Sequence, residues 1–164
     1  MGHRRETWRR GGSAKRIDEL LERITHDLAP AAAARSSDGS CARVRELVAR
    51  GRPFLHELAS MMPHTAIDLL LGEVGFCDKD HNERRRWARL LSVRLGQDAA
   101  MLTLWLLADV VADGTAVSVG GCLSWRLPRI AAGKPREALS GQAPEALALA
   151  LERAIAECRP ISGV

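Results

Sequence analysis

Apolar residues recur at three- and four-residue intervals along most of this chain, and proline or glycine stands at nearly every break. Ile17, Leu20, Leu21, Ile24 and Leu28 fall on one helical face, which predicts a helix over 14–28, capped by Ser13 and stopped by Pro30. After a linker at 30–40, Val44, Leu47 and Val48 mark a shorter helix, with Gly51 to take a left-handed end and Pro53 to prevent continuation. Leu55, Leu58 and Met62 predict another, ended by Pro63. Ile67, Leu70 and Leu71 predict the next, ended near Gly72 to Gly75. Asp80 and Glu83 have capping-box spacing and open a helix on Trp87, Leu90, Leu91 and Leu95, closed by Gly96. Asp98 is placed to cap the run from Ala99 to Ala112, which is apolar on nearly every face and therefore belongs in the middle of the packing.

Beyond Gly114 the pattern changes. A β-prone piece, Ala116 to Val119, precedes the pair Gly120-Gly121, where glycine can turn the chain sharply or let it pass close to a neighbour, and a bend is expected. Leu123, Trp125, Arg126 and Arg129 follow in a helix that Pro128 is expected to kink or end. A polar stretch over 133–143 leads to Pro144 and a last helix with Leu147, Leu151, Ile155 and Cys158 on one stripe. No alternating run beyond 115–119 and no internal repeat is present. The expected fold is all-α: a compact multi-helix bundle with a central apolar helix and at most a short β-like hinge near 115–119. It divides into a basic arm at 1–13, N-terminal helices and linker at 14–52, and a helical domain at 53–160.

At 164 residues the chain suits one domain with a real core. A net charge of +4 and a pI near 9.2 permit nucleic-acid contact without requiring it. Every basic residue except Lys15, Lys79 and Lys134 is arginine, as GC-rich coding would produce. The charged start MGHRRETWRRGG has no apolar stretch behind it, so no signal peptide is predicted. The longest apolar stretch, Ala99 to Ala108, is shorter than the roughly 20 residues a membrane crossing needs. A soluble, cytoplasmic protein without membrane contact is expected. Its scattered cysteines, Cys41, Cys77, Cys122 and Cys158, are expected to be reduced thiols.

The search for reactive chemistry yields fragments. His56-Glu57 begins like a zinc-protease helix, but Ser60 stands where the second histidine would be. Cys77, Asp78, Asp80 and His81 crowd together without the further ligands a zinc site needs, and Asp80 reads better as a helix cap. Ala116 to Gly120 resembles a nucleophile elbow around Ser118, but no histidine follows His81. Gly133-Lys134 lacks the rest of a phosphate loop. The expectation is a protein that is not an enzyme and uses no cofactor and no metal. Two basic clusters remain: Arg84, Arg85, Arg86 and Arg89 around Trp87, and Arg126, Arg129, Lys134 and Arg136 after the glycine pair. Either can neutralise phosphates, and either can be a solvated face paired with acids such as Asp80 and Glu83. Trp87, Trp105 and Trp125 read as core residues.

Around residues 90–134 the motifs Leu95-Gly96, Ala99-Ala100, Gly120-Gly121, Leu123 and Gly133 recur in order and at similar distances. This stretch resembles the C-terminal region of the plasmid replication initiator protein C (RepC) family of repABC plasmids. Cys122 stands where the family has an aromatic residue, Ser124 where it has arginine, and Pro128 interrupts its continuous helix. The likeness covers about half the chain, with a weaker match back to Leu55, and residues 1–54 have no counterpart of the family's winged-helix part. It implies an accessory or truncated replication initiation protein that contacts the DNA backbone, replication proteins, or both. Arg84, Arg85, Arg86, Arg89, Arg126 and Arg129 are the expected phosphate partners, with Gly120, Gly121 and Leu123 as the hinge motif. The alternative is a helical protein–protein interaction module or homo-oligomer, docking through the amphipathic helices at 14–28 and 144–158.

Overall fold

The computed structural model describes residues 13–28, 39–113 and 118–158. Among them are helices and connecting turns only: α1 Ser13–Leu28, α2 Ser40–Ala49, α3 Arg52–Ser60, α4 Pro63–Glu73, α5 His81–Leu95, α6 Ala99–Ala112, α7 Val119–Ala131 and α8 Glu145–Cys158. Single turns of 3-10 helix lie at Gly96–Asp98 and Pro135–Ala138. The expected all-α bundle is what forms. The expected arm at 1–13 and the β-like hinge fall almost wholly outside the described residues; of the hinge, Ser118 is extended and Val119 already begins α7.

The bundle is organised by α6, which touches all the other α-helices. Every residue from Ala99 to Val111 is buried, as a helix without a polar face requires. Its polar atoms are satisfied inside the protein: the Thr103 hydroxyl donates to the Ala99 carbonyl at 2.7 Å, and Asp109 has partners described below. The helical run from His81 to Ala112, interrupted by the turn at Gly96–Asp98, has the length and apolar character of a membrane-crossing helix, yet its most apolar part is 78% buried inside the protein.

Local chemistry sets the helix ends. Asp80 accepts from the Glu83 amide at 3.0 Å and starts α5, as its spacing predicts. Asp98, expected to cap α6, makes no side-chain cap there, because the 3-10 turn already leads the backbone into the helix. At the end of α4, Gly75 takes a φ of 77°, and the Phe76 amide reaches back to the Leu71 carbonyl at 2.9 Å. Phe76 and Leu71 are both buried, which completes the apolar contact of a Schellman stop.

Two expectations near the glycine pair are corrected. Gly120 and Gly121 make no bend; they lie in the first turn of α7, whose cap is Ser118, accepting from the Gly121 amide at 3.0 Å. The missing side chain provides needed room only at Gly121. A methyl on Gly120 would rest against the Gly75–Phe76 backbone at 3.6 to 3.7 Å, and one on Gly121 would sit 2.9 Å from the capping hydroxyl. Nor does Pro128 end α7, which continues to Ala131. Pro128 and Ser124 are both exposed, so the carbonyl deprived of its usual donor lies on the water-facing side.

Candidate interaction surface

Burial and pairing sort the arginines singled out from the sequence into two groups. Arg126 is turned inward, only 4% exposed, and its Nη1 donates to Asp109 Oδ2 at 2.6 Å. Asp109 also accepts from the Ser140 amide at 3.0 Å and the Ser140 hydroxyl at 2.9 Å. One carboxylate thus ties the end of α6 to α7 and to the turn before α8. Arg126, expected to meet phosphate, is instead buried with its guanidinium committed to a carboxylate.

Arg84 is also held. Its Nε donates to Asp68 at 3.0 Å, and the guanidinium lies over Gly72, where a Cβ would come within 3.2 Å of it. The absent side chain on α4 makes the seat for an arginine on α5. Arg136 is gripped by Glu145 and Glu152 through four donations of 2.6 to 3.0 Å. These bonds raise its already high pKa further and pull Glu145 below the ordinary glutamate range. Arg129 donates to the Trp125 carbonyl at 2.6 Å and stacks on the Trp125 ring, 3.7 Å from its centroid. Trp125 is half exposed, so it is corrected from core residue to surface platform, while Trp105 is buried as expected.

The second group faces water. Arg85 and Arg89, one turn apart on α5, are exposed and have no ion pair among the described residues. Arg86 lies beside them, 70% exposed at its side chain, with Nη2 on Glu83 Oε1 at 2.5 Å. On the same outer face the helix shows Leu90, 40% exposed, and Val93, 75% exposed. Leu90, read from the sequence as part of the inward face with Trp87 and Leu91, therefore turns outward. Arg94 closes the far end by donating to the Ala131 carbonyl at 2.6 Å, where a cation suits the C-terminus of α7.

Among the described residues no cluster of three or more histidine, cysteine or acidic side chains is placed to hold a metal. Cys77 sits at a left-handed φ of 53° in the turn before α5, and burial raises its thiol pKa, reinforced by Glu83 and Asp80. A groove of about 590 Å³ lies where α1, α3, α8 and the α5–α6 junction meet, with Leu20, Met101 and Trp105 in its lining. A cleft of about 520 Å³ lies beside the start of α7, lined by Cys122, Trp125, Arg126 and Ser140.

The residue that sequence reasoning passed over is Asp109. Its signal was present: one carboxylate in a helix with no polar face must find an internal partner or stay unpaired at a cost of several kcal/mol. Comparison with protein-family models, with curated proteins and with solved structures finds no match to this chain.

Proposed function

We propose that this chain is a helical interaction module, not an enzyme, that holds a macromolecular partner against the outer face of α5. The observation that carries this reading is the company that face keeps: Arg85, Arg86 and Arg89 beside an exposed Leu90 and a Val93 that is 75% in water. Guanidinium groups alone suit phosphate. Guanidinium groups set against aliphatic side chains suit a protein surface with carboxylates around an apolar patch. The likeness of residues 90–134 to a plasmid replication initiator supports replication initiation as the setting, with a replication protein as the partner.

A second reading, contact with the DNA backbone, keeps support from Arg85 and Arg89, which have no carboxylate partner among the described residues. It has lost Arg84 and Arg126 to internal ion pairs. One experiment separates the two. A photo-reactive benzoylphenylalanine is placed at Val93, with a control at exposed Ala156 on α8, and the cells are irradiated. A discrete protein adduct at position 93 alone is expected; a nuclease-sensitive adduct would transfer the role to DNA, and no adduct at 93 would remove both.

A further inference from the structure

Trp125 stands half exposed on α7, whose other bulky apolar side chains, Leu123, Leu127 and Ile130, are buried. Arg129, one turn toward the C-terminus, stacks on its ring at 3.7 Å from the centroid and takes no part in lining the cleft of about 520 Å³. Gly121 and Cys122, one turn the other way, do line it, so the indole stands between the Arg129 guanidinium and the cleft and lends the cleft aromatic surface. Arg126 lines the same cleft although it is only 4% exposed. Of its five N–H donors, the structure shows only Nη1 in use, on Asp109. Among the described residues Arg45 Nε alone is a buried side-chain polar atom without a partner, so Nε and Nη2 of Arg126 are not sealed in the core; they open on the cleft. The Ser140 hydroxyl, also in the lining, donates to Asp109 and keeps its lone pairs for a ligand. Asp109 cancels the Arg126 charge and Asp113 adds a carboxylate to the lining, which leaves no positive excess for a phosphate.

An aromatic plate, two guanidinium donors and a hydroxyl acceptor in one recess match a flat nitrogen heterocycle with acceptors and donors along its edge. We propose that this cleft receives a single unstacked purine base, guanine above the others, with its face on Trp125 and its edge on Arg126. Stacking on an aromatic side chain accepts any base. The arginine supplies the choice, because Nε and Nη2 lie along one side of the guanidinium and match the two acceptors of guanine, O6 and N7. The N–H groups of the base are left for the Ser140 oxygen. The cleft falls within the roughly 300–1,000 Å³ of small-ligand pockets and has room for a nucleoside. The base can arrive on a free nucleoside or within a single strand; the recognition chemistry is the same. This site is distinct from the outer face of α5 and does not depend on the partner proposed there.

The test titrates the full chain by calorimetry with guanosine, adenosine, cytidine, 7-deazaguanosine and an oligothymidylate carrying one central guanine. Guanosine should bind saturably, more tightly than adenosine or cytidine, and with little dependence on salt. In the NMR spectrum it should shift the Trp125 indole N–H signal. Trp125→Ala should weaken guanosine roughly tenfold or more, and Trp125→Phe should retain most of the affinity. The probe 7-deazaguanosine lacks the N7 acceptor and tests the Arg126 edge without altering the protein; it should bind about tenfold less tightly than guanosine. Tighter binding of the oligonucleotide than of guanosine would identify a single strand as the source of the base, and equal binding a free nucleoside. The proposal is overturned if guanosine does not saturate, if the three nucleosides bind equally, or if neither Trp125→Ala nor the 7-deaza substitution weakens the complex.

Discussion

The Arg126 guanidinium meets the Asp109 carboxylate at 2.6 Å with both side chains at most 5% exposed, in the only buried arginine–carboxylate pair among the described residues. Such a pair returns little net stability over apolar residues of the same size, because both charges are stripped of water. Removing one partner is another matter. Asp109→Ala leaves a buried cation and also frees the Ser140 amide and hydroxyl, so a loss of about 3–5 kcal/mol is expected. Asp109→Leu combined with Arg126→Met should lose much less than the two single losses added. Urea unfolding of Asp109→Leu, Arg126→Met and their combination measures this, and additive losses would show that the two groups do not act as a pair.

The glycines of α7 should behave oppositely although they are adjacent. Gly120→Ala places its methyl at ordinary contact distance from the Gly75–Phe76 backbone and gains helix propensity, so stability should hold or rise by up to about 1 kcal/mol. Gly121→Ala pushes the Ser118 hydroxyl off its amide, and loss of that cap should cost about 1 kcal/mol. Gly96→Ala should cost the most, since its φ is 74° and the new methyl would stand 2.5 Å from the Cys158 sulfur. Thermal melts of the three variants give the order directly.

How much of this was legible in the sequence depends on what each residue answers to. Helix positions were readable because they follow local rules: Asp80 capping α5, Pro63 separating α3 from α4, and an all-apolar α6 at the centre. Gly120-Gly121 misled because a glycine pair is equally suited to a bend and to close packing, and only the neighbouring Gly75–Phe76 backbone decides between them. The arginines misled for the same reason. Arg84, Arg126 and Arg136 find carboxylates 16, 17, 9 and 16 residues away along the chain, at Asp68, Asp109, Glu145 and Glu152, which no local pattern announces. Of the two basic clusters, only Arg86 finds a carboxylate, Glu83, within one helical turn.

Glu145 offers a pH test. Its folded-state pKa is depressed by hydrogen bonds from Arg136, so the bridge contributes above the unfolded glutamate pKa and is lost as pH falls through the folded value. Side-chain carboxyl NMR should show Glu145 titrating below ordinary glutamates, and Arg136→Ala should move it back up. An unmoved titration in that variant would show that the four contacts do not persist in solution.

If the partner of α5 is duplex DNA, the three outward arginines limit how strongly salt can act. About 0.9 counterions are released per phosphate neutralised, so log affinity should fall with log salt at a slope no steeper than about −3. A steeper slope in fluorescence-anisotropy titrations would mean phosphate contacts well beyond Arg85, Arg86 and Arg89.

The division of arginines into those that hold the fold and those that face a partner is tested most directly by the Val93 photo-adduct in Arg85→Ser/Arg89→Ser protein. Exposed substitutions of this kind should leave unfolding free energy within about 0.5 kcal/mol of the parent. The adduct should disappear while the urea midpoint stays where it was. An adduct of undiminished yield, or a midpoint that collapses, would contradict the assignment of this face to binding.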